Sequence, residues 1–271
     1  MADDKIIDVE AILRKRNPSL LKTLPKFVIN YLKRIAHQDT INEMVTNNKD
    51  LHGLPFVEKG LNTLGMIYDA VDLENIPTTG RFIFASNHPL GGLDGLVIIN
   101  SVGKRFPDVK FVVNDLLMNV PNLEPLFLPV NKFGRQNSDY ARKLDASYAS
   151  SCQILYFPAG LCSRKIKGKI TDLKWQKSFV MKATQYQRDV IPVFFEGRNS
   201  NFFYNFANIR KMLGIKMNYE MVYLVDEMFK QRGRKLRLIF GKPIPYTTFD
   251  SSKTPNEWAQ FVREQVYSLK K

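Results

Sequence analysis

The sequence predicts an α/β protein with a mostly parallel central sheet flanked by helices and with an N-terminal helical extension. From Gly80 onward, apolar runs of strand length alternate with segments of helix length, which is typical of a parallel sheet covered on both faces. The residues before Gly80 space their apolar side chains three and four apart, which indicates helices. We therefore expect a helical segment over residues 1–75 and an α/β domain over residues 76–271.

The N-terminal segment is expected to contain several helices. Asp3 or Asp4 caps a helix that ends before Pro18, because proline cannot continue it. A second helix over residues 19–36 has an apolar stripe beside lysines and arginines. This stripe either packs on the domain core or contacts an anionic membrane surface.

Capping residues predict three more helices. A capping box formed by Thr40 and Glu43 begins one of them. Pro55 begins another, which is predicted to reach Val71. The last helix combines an N-cap, a first-turn proline and a capping-box glutamate in Thr254, Pro255 and Glu257.

The alternating part of the chain gives the remaining elements. Strands are predicted over residues 81–86, 110–114, 153–157, 190–195, 219–225 and 235–240, with a further apolar segment at 125–130. Helices are predicted from about Leu93 and over residues 138–150, 172–187 and 202–213.

Composition limits the class of partner. The chain has 271 residues, and its 40 Lys and Arg against 26 Asp and Glu give a net charge of +14. This excess predicts an anionic partner, either a lipid surface or an acidic carrier protein, and no nucleic-acid partner is expected because no recognition motif interleaves the basic residues with stacking aromatics. The longest apolar stretches are far shorter than the ~18 residues that span a bilayer.

The cysteines predict a reduced, cytoplasmic compartment. Cys152 and Cys162 are the two cysteines, and the chain shows no evident secretory leader. Neither has a neighbouring histidine at metal-ligand spacing, so no metal site is expected.

The candidate site directly follows the predicted strand 81–86. It is the polar, glycine-rich segment that reads Asn87-His88-Pro89-Leu90-Gly91-Gly92-Leu93-Asp94. Such a turn lies at the carboxyl edge of the sheet, where open α/β proteins place their sites. His88 suits a general base near neutral pH, and Asp94 suits the carboxylate that fixes its tautomer. The alternative is a hydrogen-bonded loop histidine with Asp94 as the N-cap of the next helix.

A second predicted strand also ends in a loop with a cation. It runs through the sequence Ile154-Leu155-Tyr156-Phe157-Pro158-Ala159-Gly160-Leu161-Cys162-Ser163-Arg164. The other histidines, His37 and His52, follow no strand and no glycine-rich loop, so we interpret them as surface or packing residues.

These two segments resemble motif blocks of the PlsC-type glycerolphosphate and lysophosphatidate acyltransferases. In that family an Asn-His is followed four residues later by an acid, whereas five residues intervene between His88 and Asp94. The longer sequence Asn-His-Pro-Leu-Gly-Gly-Leu-Asp-Gly resembles the haemolysin-like branch that O-acylates lyso-ornithine and lyso-glycine lipids. The resemblance covers about residues 60–245 and keeps the order of the blocks.

The other blocks match less completely. The second block falls on residues 126–132, with Lys132 or Arg135 in place of the family's cation, and the fourth contains Pro192, which in the family shapes the pocket. In the third block Ala159 replaces a glutamate and Cys162 replaces an arginine. The resemblance implies that substrate is bound by Asn87, Gly91, Gly92, Lys132, Arg135, Phe157, Pro158, Gly160, Ser163, Arg164 and Pro192.

The changes in the third block argue against a phosphate-bearing acceptor. In the family the arginine of this block holds a dianionic phosphate, a task that suits a guanidinium and not a thiol. An amino-acid lipid presents one carboxylate, for which Arg164, Lys165 or an amide near Gly160 is the expected partner. Cys162 is expected to pack in the core and not to act as a nucleophile.

The resemblance implies a bacterial O-acyltransferase that is peripheral on the inner face of the cytoplasmic membrane. It would move a fatty acyl group from a thioester of acyl carrier protein, or of CoA, to the 3-hydroxyl of a lyso-glycine or lyso-ornithine lipid, with no further cofactor. His88 would be the base, and amides of the Gly91-Gly92 turn or near Gly160 would bind the oxyanion. The alternatives are a lysophosphatidate acyltransferase and a non-catalytic basic membrane-binding protein.

Two more segments are candidate anionic or membrane contacts. The cations of residues 164–169 are the densest near the candidate site, with solvated loop charge as the alternative. The aromatic residues of 201–206 precede Arg210 and Lys211, an arrangement that suits a membrane interface as well as helix packing.

Overall fold

The computed structural model describes residues 6–16, 18–114, 120–130 and 138–270. The helices of this part are α1 (Val9–Arg16), α2 (Pro18–Thr23), α3 (Lys26–Ile35), α4 (Gln38–Thr46), α5 (Leu54–Thr63), α6 (Gly92–Gly103), α7 (Ser138–Ala149), α8 (Ser178–Tyr186), α9 (Asn201–Met212), α10 (Leu224–Phe229) and α11 (Pro255–Ser268). Short 3-10 helices lie at Leu73–Asn75, Pro121–Leu126, Tyr219–Tyr223 and Tyr246–Thr248. The strands are β1 (Ile67–Val71), β2 (Phe82–Ser86), β3 (Val109–Asn114), β4 (Phe127–Val130), β5 (Gln153–Tyr156), β6 (Arg164–Ile166), β7 (Lys169–Thr171), β8 (Asp189–Glu196) and β9 (Lys235–Phe240).

Seven strands form one sheet in the order β1-β9-β8-β2-β5-β3-β4. Strands β8, β2, β5, β3 and β4 are mutually parallel, while β9 runs antiparallel to β8 and parallel to β1. The expected mostly parallel α/β class is therefore confirmed. Because the five parallel strands end at the same edge, the segments that follow β2, β5 and β8 meet there.

The core lies on both faces of this sheet. Strand β2 is buried along its whole length, as expected for a central parallel strand. Its residues Phe82 and Phe84 pack in the core layer that includes α5 and α6, whereas Ile83 and Ala85 pack in the layer that includes α8 and α11. This alternation aims every second side chain of β2 at α6, the helix that follows the candidate loop.

The first helix, α1, begins at Val9, and the Asp8 carboxylate accepts the N–H groups of Glu10 and Ala11. The expected caps, Asp3 and Asp4, lie outside the described residues.

The rest of the N-terminal segment is helical, but it differs from the prediction in three further places. The expected helix over residues 19–36 is interrupted at Pro25, which caps α3, because proline supplies no N–H to an earlier carbonyl. The capping box of Thr40 is wrong, since α4 already begins at Gln38 after His37, whose φ is 47°. The helix expected to reach Val71 ends at Thr63, and Gly65, at φ 64°, turns the chain into strand β1.

Two predictions for the α/β domain also need correction. The segment 219–225 is not a strand but a 3-10 helix that leads into α10, because Glu220 turns inward to buried arginines. The helix expected over 172–187 starts only at Ser178, and the hairpin β6–β7 precedes it. This hairpin turns at Lys167-Gly168, where both residues have positive φ, as type I′ turns require.

The last helix is confirmed in detail. The Thr254 hydroxyl accepts the Glu257 N–H, and the Glu257 carboxylate accepts the Thr254 N–H, so the predicted capping box is complete. No helix in the described ranges has the length and apolar character required to cross a bilayer.

Candidate active site

His88 and Asp94 lie in contact at the carboxyl end of β2. The Nδ1 atom of His88 is 3.0 Å from Oδ2 of Asp94. The Asp94 side chain is fully buried, whereas the His88 side chain keeps 16% of its surface exposed. With Nδ1 on the carboxylate, Nε2 is the ring nitrogen that remains for a substrate proton.

Asp94 is held by the main chain around it. Its Oδ2 accepts the N–H of Leu90 at 2.9 Å, and its Oδ1 accepts the N–H of Gly95 at 2.9 Å. It lies in the first turn of α6, where the helix dipole favours a negative charge. The N-cap of α6 is Gly91, so the alternative in which Asp94 is the N-cap is wrong.

The two glycines of the loop are not equivalent. Gly91 has a φ of 85°, and a Cβ there would lie 3.0 Å from Cδ1 of Leu224. Gly92 begins α6, and a Cβ on it would meet nothing within 4 Å. The sharp turn that returns Asp94 to the imidazole therefore depends on Gly91.

Phe157 holds the imidazole from the other side. Its ring stacks on His88 with centroids 4.0 Å apart and an interplanar angle of 20°. Phe111 meets Phe157 edge-on at 5.2 Å. Because Phe157 directly follows β5, the neighbour of β2, this contact joins the first and third motif blocks.

The main chain of His88 is fixed by a carboxylate that sequence reasoning missed. Asp172 Oδ1 accepts the His88 N–H at 3.2 Å and the Ser163 hydroxyl at 2.6 Å, and its Oδ2 accepts the Trp175 indole N–H at 2.9 Å. The Ser163 N–H in turn donates to the His88 carbonyl at 2.7 Å. Burial raises the pKa of Asp172 above its ordinary value. No local pattern predicts this contact, because 84 residues separate Asp172 from His88.

Asn87, Pro158 and Gly160, which were expected to bind substrate, form hydrogen bonds within the protein. Asn87 is buried and bonds the main chain of Phe195 in both directions, at 2.9 and 2.7 Å. The carbonyl of Pro158 accepts the Gln176 N–H, and the N–H of Gly160 donates to the Phe157 carbonyl at 3.0 Å. These bonds shape the loops beside His88.

Arg164 lies inside the protein and not on the open side of the site. Its Nη2 is 3.1 Å from Oε1 of Glu220, and its Nη1 donates to the Cys162 carbonyl at 3.0 Å. Arg210 binds the other Glu220 oxygen, with Nε at 2.8 Å. The guanidinium of Arg164 is thus engaged by protein groups, which differs from the expected contact with a substrate carboxylate.

The remaining expected residues fall in three different places. Cys162 is fully buried, and this burial raises the pKa of its thiol to about 11. Pro192 shares the sheet face of Val190 and Phe194, which is opposite to the face on which β2 meets α6. Lys132 and Arg135 lie outside the described residues.

The geometry at His88 suits proton transfer. A buried carboxylate on one ring nitrogen orients the imidazole and stabilises its charged form, which leaves the other nitrogen to exchange a proton with a hydroxyl. In the described ranges no three His, Cys, Asp or Glu side chains come together as a metal site would require.

Comparison with known proteins identifies a family. A family model described as acyltransferase matches residues 11–271. A lyso-glycine lipid O-acyltransferase of Bacteroides thetaiotaomicron is 49% identical over 99% of this chain and 100% of its own length. A protein of the same name from Phocaeicola vulgatus is 48% identical over 99% of this chain and 98% of its own.

The similar proteins include one of known structure. The crystal structure of the 1-acyl-sn-glycerophosphate acyltransferase PlsC from Thermotoga maritima matches with a TM-score of 0.47 and 19% identity, covering 80% of this chain and 78% of that chain. The family model and the two full-length relatives agree with the resemblance found in the sequence. The chain belongs to the acyltransferase family and is an enzyme that transfers acyl groups.

Proposed function

We propose that this enzyme transfers a fatty acyl group from an acyl thioester to the 3-hydroxyl of lyso-glycine lipid, an N-acylated amino acid. The observation that carries the proposal is the 49% identity, over 99% of the chain, to a relative of that name. Both relatives are named for glycine, which favours this acceptor over the lyso-ornithine lipid that the sequence also left open.

The His88–Asp94 pair supplies the base in this proposal. Nε2 of His88 removes the proton of the acceptor hydroxyl as its oxygen attacks the thioester carbon. Asp94 holds Nδ1 and stabilises the imidazolium. The tetrahedral intermediate then collapses, the C–S bond breaks, and the imidazolium returns the proton to the leaving thiolate. A positioned base of this kind typically contributes a factor of ~10² to 10⁴.

The oxyanion is assigned to the start of α6. The first amides of a helix have no intrahelical acceptor and carry the positive end of its dipole. Gly92 begins α6 and stands in the same loop as His88. The N–H of Gly160, the other expected donor, already bonds the Phe157 carbonyl. These facts favour the amides beside Gly92 as the oxyanion donors.

The residue at position 162 disfavours lysophosphatidate as the acceptor, because this lipid has a phosphate head group. Cys162 stands where the phosphate-binding arginine is expected, and its pKa of about 11 keeps the thiol neutral at physiological pH. A neutral, buried thiol has no charge with which to hold a dianionic phosphate. A lyso-glycine lipid does not require that contact.

The donor is assigned to acyl carrier protein in preference to CoA. The preference rests on the family resemblance of the sequence, and the net charge of +14 is compatible with an acidic carrier. The same charge supports a peripheral position on the inner face of an anionic membrane. The reaction as written needs no cofactor beyond the thioester.

A competition assay tests the proposal. Purified enzyme receives a long-chain thioester of acyl carrier protein, or of CoA, with equal amounts of lyso-glycine, lyso-ornithine and lysophosphatidate lipids, and the products are read by mass spectrometry. We expect diacylated glycine lipid as the main product. Phosphatidate as the main product, or diacylated ornithine lipid in its place, would overturn the acceptor assignment.

A further inference from the structure

Exposed apolar side chains lie on α3 and at the end of α9. The group consists of side chains on two elements far apart in sequence, Phe27, Tyr31, Ile209, Met212, Leu213 and Met217, and we call it the apolar platform. Met212 is 78% exposed, Phe27 74% and Leu213 64%. Single exposed apolar side chains are ordinary, but several strongly exposed ones on helices that are joined to each other are typical of an interaction surface.

Aromatic contacts join α3 to α9, the two helices from which the platform is built. The hydroxyl of Tyr31 in α3 lies 3.1 Å from that of Tyr223, and their rings meet edge-on. Tyr223 also meets the ring of Phe202 in α9 at 5.0 Å. The sequence left open whether these two amphipathic segments contact lipid or pack on the core. In the structure some of these side chains pack on the core and others do not: Phe203 and Tyr204 are fully buried, whereas the platform side chains are exposed.

Buried ion pairs hold the exposed loop of the platform in place. Arg210 donates to the Ile215 carbonyl, to Asn218 Oδ1 at 2.8 Å and to Glu220 at 2.8 Å. The Glu220 carboxylate is fully buried between Arg210 and Arg164. Met212, Leu213 and Met217 are therefore presented by a loop that is anchored from inside.

The two chain segments that carry the platform have charged side chains of one sign. Residues 18–38 and 197–219 contain lysines and arginines but no aspartate or glutamate. Lys26, Arg34, Lys211 and Lys216 are exposed beside the apolar side chains. Apolar side chains rimmed by cations match the boundary of an anionic bilayer, where the chains enter the interface and the cations bind head groups.

The platform is connected to the candidate active site by two contacts. Leu224 follows the 3-10 helix that carries Tyr223, and its side chain lies against Gly91 of the His88 loop. Arg164, in the same ion-pair cluster as Arg210, follows Ser163, whose N–H bonds the His88 carbonyl. A membrane held at the platform therefore meets the elements that pack against the catalytic loop.

We propose that the apolar platform docks this enzyme on an anionic lipid bilayer. This inference deepens the proposed function and rests on it, because a lysolipid acceptor resides in the bilayer. Docking brings the His88 loop to the surface at which that acceptor is found.

Vesicle co-sedimentation tests the inference. The platform variant Met212→Asp/Leu213→Asp is compared with Met181→Asp, which changes an apolar side chain 49% exposed on α8, away from the platform. With phosphatidylcholine vesicles that contain phosphatidylglycerol, we expect the partition coefficient of the platform variant to fall at least tenfold and that of Met181→Asp to stay at the wild-type value. For Lys211→Gln and Lys216→Gln we expect about a fivefold loss each, seen only with anionic vesicles.

Turnover on two forms of the acceptor separates this inference from the proposed function. The platform variant should acylate a short-chain, water-soluble lyso-glycine analogue at the wild-type rate and lose activity on the long-chain acceptor in vesicles. Wild-type binding by Met212→Asp/Leu213→Asp, or a dimer in the wild type that this variant converts to monomer, would overturn the membrane assignment. Normal vesicle binding without turnover on any lyso-glycine acceptor would refute the proposed function and leave the docking surface standing.

Discussion

At the scale of single residues, Asp172 fixes the position of the His88 main chain. It accepts the N–H of His88, while Ser163, which also donates to Asp172, donates its own N–H to the His88 carbonyl. The N–H and the carbonyl of His88 are thus both held by hydrogen bonds. Because His88 is the proposed base, a shift of its main chain moves Nε2 relative to the hydroxyl.

We predict that Asp172→Asn lowers kcat by as much as about 100-fold with a smaller change in KM, since misplacement of a catalytic group has effects of this size. The control is Asp189→Asn, which neutralises the carboxylate that accepts the Tyr246 N–H at the start of β8, the opposite end of the strand from the site. Steady-state kinetics well below the unfolding temperature compare the two. Equal losses of kcat in both variants would show that Asp172 has only a structural effect.

Cys162 gives a prediction about pH and stability. Its thiol has an ordinary pKa of 9.0, and burial raises this value to about 11 in the folded protein. Between these values the unfolded chain loses the proton while the folded chain keeps it, so this thiol makes the free energy of unfolding decrease as pH rises from 9 to 11. Well below pH 9 the thiol is protonated in both states and does not change the free energy of unfolding.

Urea unfolding at pH 8 and pH 10, for the wild type and Cys162→Ser, isolates this effect. Serine does not titrate in this range, so we expect the wild type to lose more stability than the variant between the two pH values. We also expect Cys162→Ser to keep acyl transfer within a few-fold of wild type. The same pH dependence in both proteins would contradict the pKa assigned to Cys162.

Local contacts explain why part of the site is predictable from the sequence. His88 and Asp94 lie only six residues apart, on the loop after β2 and in the first turn of α6, so their pairing follows from the order of strand, turn and helix. Arg164 looks like a free cation in the sequence because its partner Glu220 is 56 residues away. Contacts of that separation depend on how whole elements pack, which no local pattern encodes.

At the scale of elements, the β2–α6 turn has a strict conformational requirement. Gly91 combines a φ of 85° with a close side-chain neighbour, since a Cβ at this position would lie 3.0 Å from Leu224, whereas Gly92 has open space. A side chain at Gly91 is strained by both its backbone angle and its contact with α10. The same change at Gly92 is compatible with the first turn of a helix.

We predict that Gly91→Ala destabilises the protein by about 1–3 kcal/mol, the usual size of such backbone strain, and lowers acyl transfer because Asp94 moves away from His88. Gly92→Ala should leave stability unchanged or raise it by up to about 1 kcal/mol, since alanine replaces glycine in helical conformation. Chemical denaturation of both variants measures the difference. A Gly91→Ala protein as stable as Gly92→Ala would refute this account of the turn.

Elements differ in how far their own sequence determines them. The last helix forms as predicted because its capping box is local, between Thr254 and Glu257. Strand β1 exists because β9 pairs with it along Ile67–Val71, and this pairing overrides the helical spacing that predicted a longer α5. The segment Tyr219–Tyr223 leaves the strand conformation because Glu220 is drawn to buried arginines.

At the scale of the whole molecule, strand order assembles the site. Because β2 lies between β5 and β8 in the sheet, His88 after β2 meets Phe157 after β5, while Asn87 bonds the main chain of Phe195 in β8. The α/β alternation in the sequence predicts such a convergence at one edge. It does not predict the order of the strands, which fixes which loops are neighbours.

The role of His88 as the base is tested by the single-turnover rate of acyl transfer to lyso-glycine lipid in His88→Ala. The control is His52→Ala, which changes an exposed histidine just before α5. We predict a loss of ~10² to 10⁴ for His88→Ala, the contribution expected of a general base, and a wild-type rate for His52→Ala, with unchanged thermal unfolding in both. A folded His88→Ala enzyme that turns over within tenfold of wild type would contradict the assignment of His88 as the base.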